Sequence, residues 1–116
     1  MKTSQDTAAA ASPVAPDKER WVDPAYNGKL IELTDDETGE EYAFKWPLPH
    51  HMSRFAREAQ SEDGYKASRN LVQALLLFPA RGDLESRCEE RPGLWIALAN
   101  EVNKKTGLTA RFTAKN

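Results

Sequence analysis

The sequence predicts an α+β fold in which an N-terminal two-stranded β-hairpin packs on a bundle of about four short α-helices. Polar and apolar residues alternate with a period of two between Gly28 and Trp46, which is typical of strands. In later segments the apolar residues recur at helical spacing, and glycines and prolines separate these segments. At 116 residues, the chain is long enough for one small domain and too short for a second core.

The predicted hairpin is closed by the acidic run TDDETGEE. Asp35 and Asp36 can close an Asx-type turn there, and Gly39 can take a positive φ. The hairpin carries six carboxylates, Glu32, Asp35, Asp36, Glu37, Glu40 and Glu41. We interpret them as charged edges that discourage strand addition. The alternative, a loop for a divalent cation, lacks the ligand order of an EF-hand.

The segment from Ser68 to Phe78, closed by Pro79, is the candidate core helix. Its predicted buried stripe recurs at helical spacing and consists of Ala67, Leu71, Ala74, Leu75 and Phe78. Val72, Leu76 and Leu77 widen this stripe until most of the last two turns is apolar. We therefore expect this helix to be covered on more than one side, with the shorter elements docked against it.

Three further helices are predicted around the core helix. One begins at Pro49 and should bury Met52, Phe55, Ala56 and Ala59 while Arg54, Arg57 and Glu58 face outward. Residues 61–64 break it and supply cap residues for the core helix. A short helix should follow with Asp83 as its N-cap and with Leu84 and Cys88 among its residues. The last helix carries an apolar stripe of Leu94, Trp95, Leu98, Ala99 and Val102 and should end at a Gly107 C-cap.

The predicted domain spans residues 21–108. Residues 1–20 are rich in Ala, Ser, Thr and Pro and have no apolar periodicity, so we expect a disordered tail. Residues 109–116 should form a flexible C-terminal tail. The longest apolar run is far shorter than the roughly 20 residues that cross a bilayer, and the N-terminus lacks the apolar stretch of a signal peptide. We expect a cytoplasmic protein without a membrane partner.

The sequence offers little for catalysis or metal binding. Cys88 is the only cysteine, which excludes an internal disulfide and a thiolate cluster. His50 and His51 are neighbours, so on a helix they point about 100° apart and cannot both address one metal. The six glycines are isolated, without a phosphate-binding loop. We predict a protein that is not an enzyme and has no cofactor.

Nucleic-acid binding is an alternative that the charge pattern disfavours. Basic residues that could share one face around the first two helices are Lys45, Arg54, Arg57, Lys66 and Arg69. The acidic hairpin would repel phosphate, and in the short helix Arg87 lies among Glu85, Glu89 and Glu90. We therefore do not expect nucleic acid as a partner.

The order of the elements resembles that of small phage and prophage proteins of the tail assembly chaperone type. The resemblance covers about Gly28 to Gly107 and rests on GKLIELTDDETGEEYAFKWPLPHHMSRFAREA, GYKASRNLVQALLLFP and GLWIALANEVNKKTG. It implies a non-catalytic function: binding the long tape measure protein and keeping it in solution during tail assembly. It implies no catalytic residues.

Candidate partner-binding residues follow from exposed or releasable apolar surface. Leu76, Leu94 and Trp95 are the candidates for a client surface, although residues of this kind more often belong to the core. We expect Trp21 and Tyr26 to pack across the domain edge; as the alternative, they form an aromatic pair that binds a host protein. This second interpretation describes a small prophage adaptor or regulatory module. The sequence leaves the oligomeric state open.

Overall fold

The computed structural model of the chain describes residues 26–61 and 63–115. Trp21 and the predicted tail of residues 1–20 lie outside the described residues. The elements follow in the order β1 Leu30–Thr34, β2 Glu41–Lys45, α1 Pro49–Ser61, α2 Gly64–Leu75, β3 Leu76–Phe78, α3 Arg81–Glu90 and α4 Leu94–Lys105. The predicted α+β class is confirmed, and the described part of the chain contains the expected four helices.

The predicted hairpin forms between β1 and β2. The two strands pair antiparallel, with Ile31 opposite Phe44 and Leu33 opposite Tyr42. Directly opposed side chains share a face, so this register places the apolar residues of both strands on one side of the sheet. Ile31, Tyr42 and Phe44 are at most 1% exposed and belong to the hydrophobic core.

The hairpin turn is closed as the sequence predicts. The Asp35 carboxylate accepts hydrogen bonds from the amides of Glu37, at 2.8 Å, and Thr38, at 3.2 Å. Gly39 has a φ of 76°, a conformation that side chains other than glycine seldom adopt. Its amide donates to the Asp35 carbonyl at 2.8 Å. The Asx-type turn is therefore built by Asp35.

A third strand corrects the prediction of a two-stranded sheet. The core helix ends at Leu75 and not at Phe78, because Leu76 already has extended geometry, with φ −63° and ψ 130°. Residues 76–78 form β3, which pairs antiparallel with the other edge of β2. A residue that precedes proline disfavours the helical conformation, so Pro79 pushes Phe78 towards the strand geometry that β2 can pair with.

The core lies where α2 packs between the sheet and α4. Ala67, Leu71, Val72 and Leu75 of α2 are buried, which confirms that this helix is central. The apolar stripe of α4 covers it and is buried as predicted. Ala74 was predicted in the buried stripe and is exposed instead. It faces an open cleft, which is described below.

Helix α1 packs on α2 less tightly than its apolar pattern predicts. It begins at Pro49 as expected, and none of its described residues is fully buried. Met52 and Phe55 are half-buried, whereas Ala56 and Ala59 are exposed, which corrects the predicted face. Glu58 was expected outside, yet its side chain is only 13% exposed. Asn70 of α2 donates to its carboxylate at 3.3 Å, so a polar contact holds this helix pair.

The caps of the remaining helices agree with the sequence in two cases out of three. Asp63 caps α2 and accepts from the Lys66 amide at 2.6 Å. Gly107 has a φ of 99° after α4, and the Leu108 amide donates to the Asn103 carbonyl at 2.9 Å, which is a Schellman ending. The N-cap of α3 is Ala80 and not Asp83. Asp83 lies in the first turn of α3. A carboxylate there still interacts favourably with the helix dipole.

Beyond α4 the residues that the structure describes form no further helix or strand. Residues 110–115 form neither helix nor strand and are exposed. Within the described ranges, no helix is long and apolar enough to cross a membrane.

Candidate functional site

An open cleft lies where the sheet, the start of α1 and the end of α2 meet. Its volume is about 480 Å³, within the range of roughly 300–1,000 Å³ that is usual for binding pockets. We call it the Trp46 cleft. It is lined by Tyr26, Gly28, Lys29, Lys45, Trp46, Leu48, His50, His51 and Ala74. Three stretches that are distant in the sequence therefore form one concave surface.

The aromatic wall of the Trp46 cleft is fixed by backbone contacts. The Trp46 amide donates to the Lys29 carbonyl at 3.1 Å and to the Tyr26 hydroxyl at 3.0 Å. The Tyr26 hydroxyl in turn donates to the Lys29 carbonyl. Gly28 leaves room for the tyrosine ring, because a Cβ at that position would lie 2.5 Å from Tyr26 Oη. Tyr26 is thereby held against the sheet end at one side of the cleft.

The segment Trp-Pro-Leu-Pro forms the rim of the cleft. Pro47 is buried and Pro49 is the first residue of α1, so the chain turns sharply after β2. Leu48 stands between the two prolines and is 55% exposed. A large apolar side chain on the rim of an apolar cleft is a typical feature of a partner-binding surface.

The lysines of the cleft lie against its aromatic rings. Lys29 Nζ is 4.0 Å from the centroid of the Trp46 ring. Lys45 Nζ is 5.8 Å from the centroid of the Tyr26 ring. Both distances are within the range of cation–π contacts. Among the described residues, the lining of the Trp46 cleft contains no carboxylate, so its charged groups are basic.

The two histidines stand at the entrance to α1. Their ring centroids are 4.0 Å apart. His51 Nδ1 accepts a hydrogen bond from the Leu48 amide at 2.9 Å, which requires Nδ1 to be unprotonated. Burial lowers the pKa of His51, and the nearby His50 and Lys45 charges lower that pKa further. His51 is therefore a neutral ring at neutral pH, with Nε2 carrying the proton.

A smaller pocket of about 160 Å³ adjoins the cleft between α1 and α2. The Glu58 carboxylate in this pocket accepts from Arg54 Nε at 2.9 Å and from Asn70 Nδ2 at 3.3 Å. The Arg54 hydrogen bond lowers the pKa of Glu58, so the carboxylate stays ionised. These groups can accept or donate hydrogen bonds at the floor of the cleft, beside the half-buried Phe55 ring.

The acidic hairpin turn is tied to α3. Arg91 Nη1 lies 2.6 Å from Asp35 Oδ2, Arg91 Nη2 lies 3.5 Å from Glu37 Oε1, and Arg87 Nε lies 3.3 Å from Glu40 Oε2. The hydrogen bond from Arg91 lowers the pKa of Asp35. No group of three or more metal-ligating side chains occurs within residues 26–61 and 63–115. Asp35, Glu37 and Glu40 thus form an internal contact between the hairpin turn and the C-terminal end of α3.

Cys88 lies in the core rather than in a reactive setting. It is 3% exposed, and burial raises the pKa of its thiol to about 11. Since the thiolate is the reactive form, this cysteine is inert at neutral pH.

The structure separates the partner-binding residues that the sequence indicates. Tyr26 lines the Trp46 cleft, whereas Trp21 lies outside the described residues. Leu76 is half-buried in β3 and packs against the core. Leu94 and Trp95 are 6% and 4% exposed, so they are core residues and offer no ready surface.

Sequence reasoning missed most of the Trp46 cleft. Trp46 continues the alternation of Tyr42 and Phe44 beyond the end of β2, where the core face of the sheet runs out. The signal that could have revealed the cleft is the apolar Leu48 held between two prolines. A leucine in such a rigid, irregular segment has no strand or helix face through which to reach the core.

Comparisons with known proteins identify the family to which this chain belongs. Residues 25–115 match the family described as a domain of unknown function, DUF6848. A solved structure of an uncharacterised protein from Bacillus stearothermophilus has a TM-score of 0.67 to this fold and 25% sequence identity, covering 76% of this chain and 91% of that chain. The comparison with curated proteins gives no match. Since the family match spans most of the sequence, the chain belongs to the DUF6848 family.

Proposed function

We propose that this protein is a non-catalytic binding protein of the tail assembly chaperone type. It holds a helix-rich client, of the kind that the tape measure protein represents, in solution in the cytoplasm during assembly of a phage or prophage tail. The observation that carries the proposal is the Trp46 cleft, an open and largely apolar surface with the exposed Leu48 on its rim. The choice of the tape measure protein as the client rests on the resemblance of the element order to tail assembly chaperones.

The cleft suits the side chains of a client helix. An amphipathic helix binds a groove by inserting apolar side chains at i, i+3, i+4 and i+7. The volume of about 480 Å³ gives such side chains room to enter the cleft. Trp46 and Leu48 supply apolar contact at the rim, and the exposed Ala74 leaves room at the base. Burial of apolar client surface contributes roughly 25 cal/mol per Å² removed from water.

The adaptor alternative uses the same edge of the molecule. Tyr26, the described member of the aromatic pair, lines the Trp46 cleft. A prophage adaptor would therefore bind a host protein where the chaperone binds its client. The two proposals differ in the partner, and an assay with the tape measure protein separates them.

Co-expression with the tape measure protein of the same prophage tests the proposal. We expect the client to stay soluble with the wild-type protein and to precipitate with Leu48→Glu. The matched control is Leu108→Glu, because Leu108 is also 55% exposed and lies after α4. A client that remains equally insoluble with and without the wild-type protein rules out the chaperone proposal and leaves the adaptor. Equal loss of activity in both variants argues against the cleft as the binding site.

A further inference from the structure

The Trp46 cleft has a charge opposite to that of the whole molecule. The chain has a net charge of −2. The cleft nevertheless presents Lys29 and Lys45 on neighbouring strand ends, each held against an aromatic ring. Burial is the main cause of the lowered pKa of His51, and the His50 and Lys45 charges lower that pKa further. A positive cleft on an acidic protein selects partners by the charge of the segment that enters it.

The acidic side chains near the cleft do not cancel this charge. Glu32 lines a neighbouring pocket on the β1 side of Trp46, where the basic side chains of Lys29 and Lys105 outnumber it. Asp35, Glu37 and Glu40 are ion-paired with Arg87 and Arg91 at the hairpin turn. Glu58, which lines the adjoining pocket between α1 and α2, is paired with Arg54. Lys29 and Lys45 therefore set the charge that a bound segment meets.

Backbone pairing at the cleft favours a helical partner over an extended one. The Trp46 amide and the Lys29 carbonyl, two polar backbone groups beside the cleft, already pair with each other. A strand that adds to a sheet edge is held by main-chain hydrogen bonds. The Trp46 amide and the Lys29 carbonyl are already paired and are not available for such bonds. A helix satisfies its own backbone and needs only side-chain contacts.

We infer that the segment bound in the Trp46 cleft is an acidic amphipathic helix, whose apolar side chains enter the cleft while carboxylates one turn away meet Lys29 and Lys45. This inference rests on the proposed function and names the chemistry of the client segment. When the charges of two partners are opposite around an apolar centre, binding is more specific and association is faster. When the charges that face each other are alike, binding is weaker. The segment is thus distinguished from other apolar helices by its Glu and Asp residues.

Two designed peptides test the inference. Each is an Ala-rich helix of about 18 residues with leucines at i, i+3, i+4 and i+7, and the flanking positions are all Glu in one peptide and all Lys in the other. Each is titrated into the isotope-labelled protein, and binding is followed by the NMR shifts of the Trp46 indole and the Leu48 amide. Three proteins are compared: wild type, the charge reversal Lys29→Glu with Lys45→Glu, and the control Lys104→Glu with Lys115→Glu, whose residues lie on exposed parts of α4 and the C-terminal segment.

The wild-type and control proteins should bind the Glu peptide at least about tenfold more tightly than the Lys peptide, and the Lys29 and Lys45 reversal should invert this preference. Equal affinity for both peptides in all three proteins would overturn the charge inference and leave the cleft as a client site. Shifts confined to residues far from Trp46 would overturn it as well. Binding that requires deletion of residues 1–20 would show that the chain's own N-terminal segment occupies the cleft, which also contradicts the inference. The co-expression assay is independent of these outcomes.

Discussion

The His51 side chain caps the N-terminal end of α1, and this cap depends on the protonation state of the ring. The Leu48 amide donates to His51 Nδ1, and the His51 amide donates back to the Leu48 carbonyl at 2.9 Å. His51 stands at the third position of the helix, where Glu or Gln closes a capping box by the same reach to the N-cap amide. Protonation of Nδ1 would remove the acceptor and open this cap.

The first prediction concerns the pH dependence of this cap. The lowered pKa of His51 means that the unfolded chain binds a proton at His51 more readily than the folded one. Stability from this residue is therefore fully present above the ordinary value of about 6.5 and is lost as the pH falls through the lower folded value. An NMR titration of the ring should have its midpoint below 6.5, and Lys45→Met should raise it. A midpoint at or above 6.5 would contradict the cap. His51→Gln should keep the helix end and remove its pH dependence.

A second prediction concerns the last turn of α2. Leu75 is fully buried, whereas the adjacent Ala74 is exposed. Leu75→Ala should lower the free energy of unfolding by about 2–5 kcal/mol, because it leaves a cavity in the core. Ala74→Ser, the neighbouring control, should cost no more than about 0.5 kcal/mol. Urea unfolding measures both. An unchanged midpoint for Leu75→Ala would mean that this end of α2 is not part of the core.

Among the elements, β3 shows what local pattern cannot decide. Leu75 to Phe78 is a continuous apolar run, and periodicity alone does not distinguish a buried strand from a helical turn in so short a run. The choice depends on the second edge of β2, to which Leu76 and Phe78 pair. That edge is formed more than 30 positions earlier in the sequence, so the strand is a consequence of tertiary structure. The hairpin and the helices follow from local pattern, and for that reason their positions were predictable.

The third prediction concerns the contact between the hairpin turn and α3. Arg91→Gln removes the charged partner of Asp35 and should speed hydrogen exchange at the Gly39 amide, which donates within the turn. It should also raise the pKa of Asp35 towards its ordinary value, because the Arg91 hydrogen bond is the largest of the contacts that lower this pKa. The stabilisation by Asp35 is present above about pH 3.8 and is lost as the pH falls through the lower folded value.

A matched control for that prediction is Arg81→Gln. Arg81 pairs with Glu85 on the same helix at 3.9 Å, and both side chains are largely exposed. Exposed pairs of this kind contribute little, so exchange at Gly39 should be unchanged. If Arg81→Gln and Arg91→Gln affect Gly39 equally, the effect comes from α3 as a whole and not from the link to Asp35.

For the whole molecule, the sequence was more informative about the core than about the site. The apolar stripes of α2 and α4 identify residues that are buried, and burial follows from pattern. The Trp46 cleft exists because α1 leaves part of α2 uncovered. Ala74 lies in this part and is exposed, although it belongs to the apolar stripe of α2. Leu94 and Trp95 were candidates for a surface because a stripe does not reveal how completely a neighbouring helix covers it. Such coverage is set by the packing of distant segments.

The most direct test of the central claim, that the Trp46 cleft binds the client, is site-specific photo-cross-linking during co-expression with the tape measure protein. The photoreactive residue p-benzoylphenylalanine replaces Leu48 in one protein and the equally exposed Leu108 in another. Irradiation should join the client to position 48 and leave position 108 without adducts. Cross-links to the client at position 108 with none at position 48 would place the binding surface elsewhere and contradict the account.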